Sequence, residues 1–535
     1  MNNRSTTPGG RGAATQPDGV TWRSERGWLL ALVVLTVTPR IPGLDAGLPL
    51  LLNPDEIQSL GFARAIDVSG DLRGRPWTYP PLLGDLMFVM LRLLRSLGVC
   101  GDACSDGQVL LAGRWISVMA ASAGVMAVHG AARMLRVAAL PAATAAMTLA
   151  WSPTFVAMSR FATPDALATA GVCGSLMCAV GIARGARRRW YVLAALALGI
   201  TGGAKYNAGL VAVCVVVAHV GSPRAKSWIG WLVVSAVGAF GVFVVSLLPP
   251  WAGLDPILEG LGYEWRHYGR GHGGFTTPDA ARDALRYLVS FAWGLAPASA
   301  LVVGATLRAR NVRAMESAAR WSAGATAGFI VGYMALISRG DMFVDRVLLP
   351  IMPGLALLLA LALQLFMDEV RARMPGRSTV VCGLLLSAMV AGSGWRVVQQ
   401  ATAVAVPDSR LRAREWMLDR LDPSQVRIAV VPNSALKLFR GRKDYRVQAV
   451  KVVRPNVLRS VGFTHVVYGI GSYQRYLRTA DRFPEKSAEA AEHTAALERE
   501  AAQIERFDGP AVPGAGRFGN TASLYHQYTV EIWAL

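Results

Sequence analysis

Asn53-Pro54-Asp55-Glu56 sets two adjacent carboxylates just past the first membrane-length apolar run of the chain. A carboxylate where a chain leaves a bilayer can serve as a base toward a hydroxyl presented at the membrane surface. More ionisable groups interrupt or border later apolar runs. They are Arg160 and Asp165 in Ser159-Arg160-Phe161-Ala162-Thr163-Pro164-Asp165, then Lys205, then His267 and His272 in a Gly-rich stretch, then Arg339, and finally Asp345-Arg346. Charges at membrane depth are expensive and are functional candidates by default. Each has a plainer reading beside it. Asp55, Glu56 and Asp165 suit the positive end of a helix dipole, Arg160, Lys205 and Arg346 could snorkel to headgroups, and the histidine stretch could be a solvated turn.

The elements that must carry these groups follow from composition. With 53% hydrophobic and only 17% charged residues, the chain is far more apolar than a soluble domain of its 535 residues. Runs near the length of a bilayer crossing recur at Trp28–Leu44, Leu110–Ala132, Ala138–Ala157, Ala166–Ala183, Trp190–Gly203, Tyr206–Val220, Trp228–Leu248, Leu285–Leu307, Trp321–Ile337, Val344–Phe366 and Val380–Val397. That is about eleven spans. The formal net charge of +20 could suggest nucleic acid, but the arginines cluster in alternate loops, as at Arg187-Arg188-Arg189, Arg308–Arg320 and Arg371–Arg377. Such alternation reports membrane topology with positive loops inside, and a nucleic-acid partner is set aside. Counting from a disordered cytoplasmic tail, residues 1–26, every basic cluster falls inside. All the candidate groups then share the external face.

The first external loop, residues 43–108, is too long for a simple connection. Ile57–Val68 has helical apolar spacing, with Asn53 as its cap and Pro54 in its first turn. Tyr79-Pro80-Pro81 opens a second amphipathic stretch, Leu82–Leu97, read as a juxtamembrane helix because counting it as a span would invert the later charge pattern. Cys100 and Cys104 share this loop, where an oxidising compartment permits a disulfide. The membrane region is assigned to residues 27–404. Residues 405–535 read as an external α/β domain with a partly parallel sheet. Its helices are placed at Arg410–Leu421, Pro455–Val461 and Glu485–Arg506, and its strands at Val426–Val431, Tyr445–Val450, Thr464–Tyr468 and Tyr528–Trp533. Gly514–Gly519 lacks the strand-before, helix-after context of a phosphate loop.

Carboxylates, several cations and an apolar wall suit transfer of a sugar from a lipid phosphate. Cations stabilise the leaving phosphate, a carboxylate activates the acceptor hydroxyl, and a groove between helices takes the lipid tail. The ordered set comprises the acidic pair, Tyr79-Pro80-Pro81-Leu82, Arg160…Pro164-Asp165, Gly203-Ala204-Lys205-Tyr206 and Asp345-Arg346-Val347-Leu348-Leu349-Pro350. Over roughly residues 28–400 it resembles the polytopic GT-C glycosyltransferases of the protein O-mannosyltransferase and aminoarabinose-transferase type. The resemblance implies Asp55 as catalytic carboxylate with Glu56 beside it, and Asp165 as an acceptor- or loop-positioning acid. It implies Lys205 and Arg346 as contacts to the lipid phosphate. Tyr79, Arg160, His267, His272 and Arg339 complete the expected substrate-binding set. Val347 stands where an aromatic is usual, and the first loop lacks a His-Pro-Pro motif, which favours a glycan or lipid acceptor over a protein.

The expectation is therefore an α-helical, multi-pass GT-C protein of the bacterial cytoplasmic membrane with an external active site. Its partners would be a polyprenyl-phosphate sugar, a glycan, lipid or protein acceptor, and membrane lipid. No cofactor is required by this reading, although Asp55, Glu56 and Asp165 could together hold a divalent ion. A transporter or lipid-linked-sugar flippase is the competing class, as is a binding module on an inert anchor. Charges gathered at one face and the lack of an evident internal repeat weigh against a transporter.

Overall fold

The computed structural model describes residues 22–50, 53–70, 79–101, 103–185, 187–247, 255–270, 277, 279–289, 315–374, 376–431, 439, 442–450, 453–469, 476–477, 480–481, 483–509 and 529–535. The expected crossing Trp28–Leu44 is shorter than its apolar run. Helix α1 (Trp22–Val37) passes into a 3-10 turn, Thr38–Arg40, and stops. Pro39 and Pro42 remove amides that a continued helix would need.

The two amphipathic stretches of the first loop are helices, α2 (Glu56–Ser69) and α3 (Leu82–Ser96). The Asn53 side chain accepts the Asp55 amide at 3.0 Å. Gly70, at φ +62°, closes α2 in the left-handed conformation and donates its amide to Ile66. Arg95 of α3 forks both oxygens of Asp67 at 2.6 and 2.8 Å, joining α3 to α2. Arg64 donates to Asp106 and to the Cys104 carbonyl, joining α2 to the start of the next helix. Cys100 and Cys104 are disulfide-bonded.

The membrane core is built on α4 (Asp106–Met134), which opens with a capping box between Ser105 and Gln108. It packs along α7 (Pro164–Ala183), α7 along α8 (Arg189–Ala204), and α8 along α10 (Ile229–Val245). Small residues allow these approaches: a side chain at Gly171 would collide with Thr201 of α8. Apolar on all sides, α7 is enclosed by its neighbours, whereas α10 is almost wholly uncovered by protein and presents Val233, Val237 and Phe240 outward, as a lipid-facing helix does. Among the described residues, Asp106–Met134, Pro164–Ala183, Lys226–Val245 and Asp345–Arg373 are long and apolar enough to cross a bilayer.

Several expected spans are broken. Ala138–Ala157 is two helices, α5 (Ala139–Ala150) and α6 (Pro153–Met158), because Pro153 forces Ser152 out of the helical region, to ψ 123°. Trp190–Gly203 and Tyr206–Val220 are separate. Extended backbone at Lys205 divides α8 from a 3-10 segment, Tyr206–Val211, that leads into α9 (Ala212–Val220). Most of Leu285–Leu307 lies outside the described residues; α11 (Asp255–Arg270) precedes it and α12 (Ala280–Tyr287) ends within its first residues. Next come α13 (Ser317–Ile337), a 3-10 turn at Asp345–Ile351, α14 (Met352–Arg373) and α15 (Ser378–Ala405).

Beyond α15, α16 (Ser409–Arg420) precedes a five-stranded sheet of order β2-β1-β3-β5-β4. Strand β1 (Arg427–Val430) pairs parallel with β2 (Arg446–Ala449) and β3 (His465–Gly469), while β5 (Val530–Ala534) runs antiparallel to β3 and β4 (Ala502–Phe507). The helices α17 (Pro455–Ser460) and α18 (Pro484–Glu500) complete the region. The expected helix Glu485–Arg506 ends early, since its last residues form β4 against β5, and strand pairing there overrides local composition.

One buried ion pair ties the first loop to this bundle. Arg114 of α4 donates to both Glu56 oxygens at 2.8 and 2.7 Å, and also to the carbonyls of Leu44 and Ala46. Glu56 takes the Ala162 amide as well, at 2.8 Å. Replacing Arg114 with Met strands a carboxylate that is fully enclosed. The expected loss is about 3–5 kcal/mol, measured as a lower unfolding temperature in detergent, and an unchanged temperature would deny the pair its structural role.

Candidate active site

Asp55 sits at the mouth of α2, where free helix amides favour an anion. Its Oδ2 is paired with the Arg346 guanidinium, and the two side chains remain 20% and 15% exposed. Arg346 also donates to the Tyr79 hydroxyl at 3.4 Å, and its amide is held by Asp345 Oδ1 at 2.9 Å. Asp345 is fixed in turn by Thr154 Oγ1 at 2.8 Å. Three separated stretches of sequence thus deliver Asp55, Tyr79 and Arg346 to one place.

A second pair lies nearby. Lys205 Nζ donates to Asp165 Oδ1 at 2.8 Å, and both side chains are nearly enclosed. Asp165 occupies the first turn of α7, directly after Pro164, while Lys205 projects from the break after α8. Arg346 acts electrostatically on Asp165 too, which connects the pairs.

Two groups on α11 complete the cluster. Glu264 is within electrostatic reach of Lys205, Arg346, Asp165 and Asp55. Burial pushes its acid above the usual carboxylate range, the two cations oppose that shift and the two aspartates add to it. His267, stacked on Tyr263, is made less basic by burial and then by Arg346. Glu264 was not among the sequence candidates. Its signal was the spacing Ile257, Gly260, Glu264, His267, which marks one helix face, and the glycines and histidines that follow drew the reading toward a loop.

The other expected residues stand apart from this arrangement. Glu56 was expected to work beside Asp55, but Arg114 and the Ala162 amide engage both its oxygens in the scaffold. Arg160 is buried, donating to the Pro39 carbonyl at 2.5 Å next to Arg40, where it braces the end of α1. Arg339 is exposed in the turn after α13. His272 lies outside the described residues. Asp85 of α3 has both oxygens buried without a hydrogen-bond partner among the described residues, and burial pushes its acid up to about 8. Among the described residues no three His, Cys, Asp or Glu side chains converge as a metal-binding group. The trio Asp55, Glu56 and Asp165 is divided among three different cations, Arg346, Arg114 and Lys205.

Residues 106–251 match the family model described as dolichyl-phosphate-mannose-protein mannosyltransferase. The chain is similar in structure to ArnT from Cupriavidus metallidurans in the apo state, at 15% identity and TM-score 0.52, covering 96% of this chain and 98% of that one. The same enzyme bound to undecaprenyl phosphate aligns at 15% identity and TM-score 0.50, over 95% and 98% of the two chains. The Archaeoglobus fulgidus oligosaccharyltransferase tethered with an acceptor peptide aligns at 12% identity and TM-score 0.49, over 90% and 72%. No curated protein sequence matches. The fold is that of the GT-C membrane glycosyltransferases, and residues 106–251 carry the segment that matches the mannosyltransferase family model.

The Lys205–Asp165 pair is testable on its own. Lys205→Met leaves Asp165 buried beside only Arg346, and roughly 3–5 kcal/mol of stability should be lost. Adding Asp165→Leu should recover much of that loss. If the two single losses simply add in the double variant, the groups are not coupled.

Proposed function

We propose that this protein moves a sugar from a polyprenyl phosphate to an acceptor hydroxyl, with Asp55 as the acceptor-side base. The observation that carries this reading is the partly exposed Asp55–Arg346 pair beside Lys205–Asp165. In the resting site the Arg346 guanidinium engages an Asp55 carboxylate oxygen. An incoming donor phosphate competes for Arg346 and frees Asp55. The acceptor oxygen then bonds to the anomeric carbon as the carbon–oxygen bond to phosphate breaks. Its proton passes to Asp55, and the phosphate leaves with the electron pair of the broken bond. Arg346 and Lys205 hold the charge that develops on the phosphate oxygens.

The basic-loop pattern supports placing this site on the external face of the membrane. It also supports the division into a tail at residues 1–26, a membrane region at 27–404 and an external α/β domain at 405–535. The shared fold with an enzyme whose structure holds undecaprenyl phosphate favours a long polyprenyl carrier. A glycan or lipid hydroxyl is the favoured acceptor class.

Asp55→Asn preserves shape and a hydrogen-bonding side chain while removing the base. Transfer from a panel of radiolabelled polyprenyl-phosphate sugars should fall by about 10²–10⁴, with the protein still folded and inserted. Arg346→Gln should chiefly raise the donor KM. Normal turnover in the Asp55→Asn protein would remove Asp55 from the mechanism.

A further inference from the structure

Helix α11 is amphipathic in an unusual sense. Ile257, Gly260, Glu264 and His267 lie on its covered face, while Leu258, Leu261 and Trp265 are exposed on the outside. The covered face is seated by Ile257 in a cluster with Phe62, Ala65, Ile66 and Leu247, against which Phe88 and Tyr206 pack. Two turns beyond Ile257, the same face carries Glu264 to the charged cluster. The groups that act on it come from four places: Asp55 at the start of α2, Asp165 of α7, Lys205 with Tyr206 at the break after α8, and Arg346 of the 3-10 turn. On its own helix, Glu259 and Arg266 are exposed, and His267 is one turn away.

Both cations already have carboxylate partners, and among the described residues Glu264 has no cation within ion-pair distance. With Glu264 ionised, three carboxylates face two cations. A phosphodiester adds one more negative charge to a site partly closed to water. The least costly relief is to protonate the carboxylate that has no ion-pair partner. Protonation also turns an acceptor into a donor, since a carboxylic acid can give a hydrogen bond to a phosphate oxygen.

We propose that Glu264 is a donor-binding residue that takes up a proton as the phosphodiester enters and hydrogen-bonds the phosphate as a neutral acid. The proposal rests on the donor reading above and adds a proton to the binding step. The sign follows from linkage. Binding raises the Glu264 pKa further, so affinity is full at pH below the free-protein value and falls as pH rises through it. The limit is tenfold per pH unit for one proton. Burial has already moved that value upward.

The test uses the full-length protein in nanodiscs and farnesyl methyl phosphate, a phosphodiester with no group that titrates near neutrality. Calorimetry in pairs of phosphate-free buffers that differ in ionisation enthalpy, each pair chosen to buffer at its pH between 5 and 8, reads affinity and proton uptake together. The wild type is expected to lose affinity with rising pH and to take up as much as one proton. Glu264→Gln, a neutral side chain that still donates, should bind with a flat pH profile and no uptake. His267→Gln should keep the wild-type slope. A slope that survives in Glu264→Gln, or a flat wild type, overturns the role of Glu264 while leaving the donor site standing. Absence of binding at every pH overturns the donor reading and this proposal with it.

Discussion

The placing of Asp55 and Asp165 descends from the enclosed contact between Arg114 and Glu56. A buried charge is tolerable only when paired and fully hydrogen-bonded, and here the requirement is met from four directions. Arg114 takes the Glu56 carboxylate and two carbonyls of the segment after α1, and Glu56 takes the amide of Ala162. The start of α2, the exit of α1 and the approach to α7 are fastened to α4 at a single point. Asp55 precedes Glu56, and Asp165 follows Ala162 by three residues. Fixing Glu56 therefore places one carboxylate of each neighbouring ion pair.

From that anchor the cluster is completed by breaks in helices rather than by the helices themselves. Lys205 is available because the backbone turns extended after α8, and Arg346 because a 3-10 turn precedes α14. Non-helical backbone is tolerated at membrane depth only where protein or a water-filled cavity satisfies it. The Asp345 carboxylate caps the Arg346 amide and is itself held by Thr154, just after the break at Pro153. The interruptions that split expected spans are thus the places where polar side chains leave the helical lattice and meet.

Much of this was legible in the sequence. Asp55, Asp165, Lys205 and Arg346 stood out because charge beside an apolar run demands an explanation, and the structure gathers all four. Glu56, expected beside Asp55, faces Arg114 instead, because adjacency says nothing about direction and consecutive residues at a helix start point to different sides. Arg160 was equally conspicuous as a charge, yet a carbonyl at the end of α1 accounts for it. Glu264 escaped because α11 reverses the common pattern, with its apolar stripe outward and its acid inward. That reversal is intelligible only once the covered face is known to meet other charges. In the carboxy-terminal region, an Ala- and Glu-rich run was extended through β4 because pairing with β5 lies outside local composition.

The arrangement of charge has a consequence for how such a site can wait without reacting. Asp55 and Asp165 are each ion-paired with a cation that, on the proposed function, also serves the donor phosphate. Among the described residues of this cluster Asp55 and Asp165 are ion-paired and Glu264 is not, and a carboxylate in that position is the one most readily neutralised by a proton. A phosphate-bearing ligand disturbs both pairs at once, since it competes with the carboxylates for the same guanidinium and ammonium. On the proposed function, release of Asp55 as a base would then be a result of donor binding and not a separate event. On the same reading, the Asp55–Arg346 pair would hold back acceptor activation until a donor phosphate competes for the guanidinium.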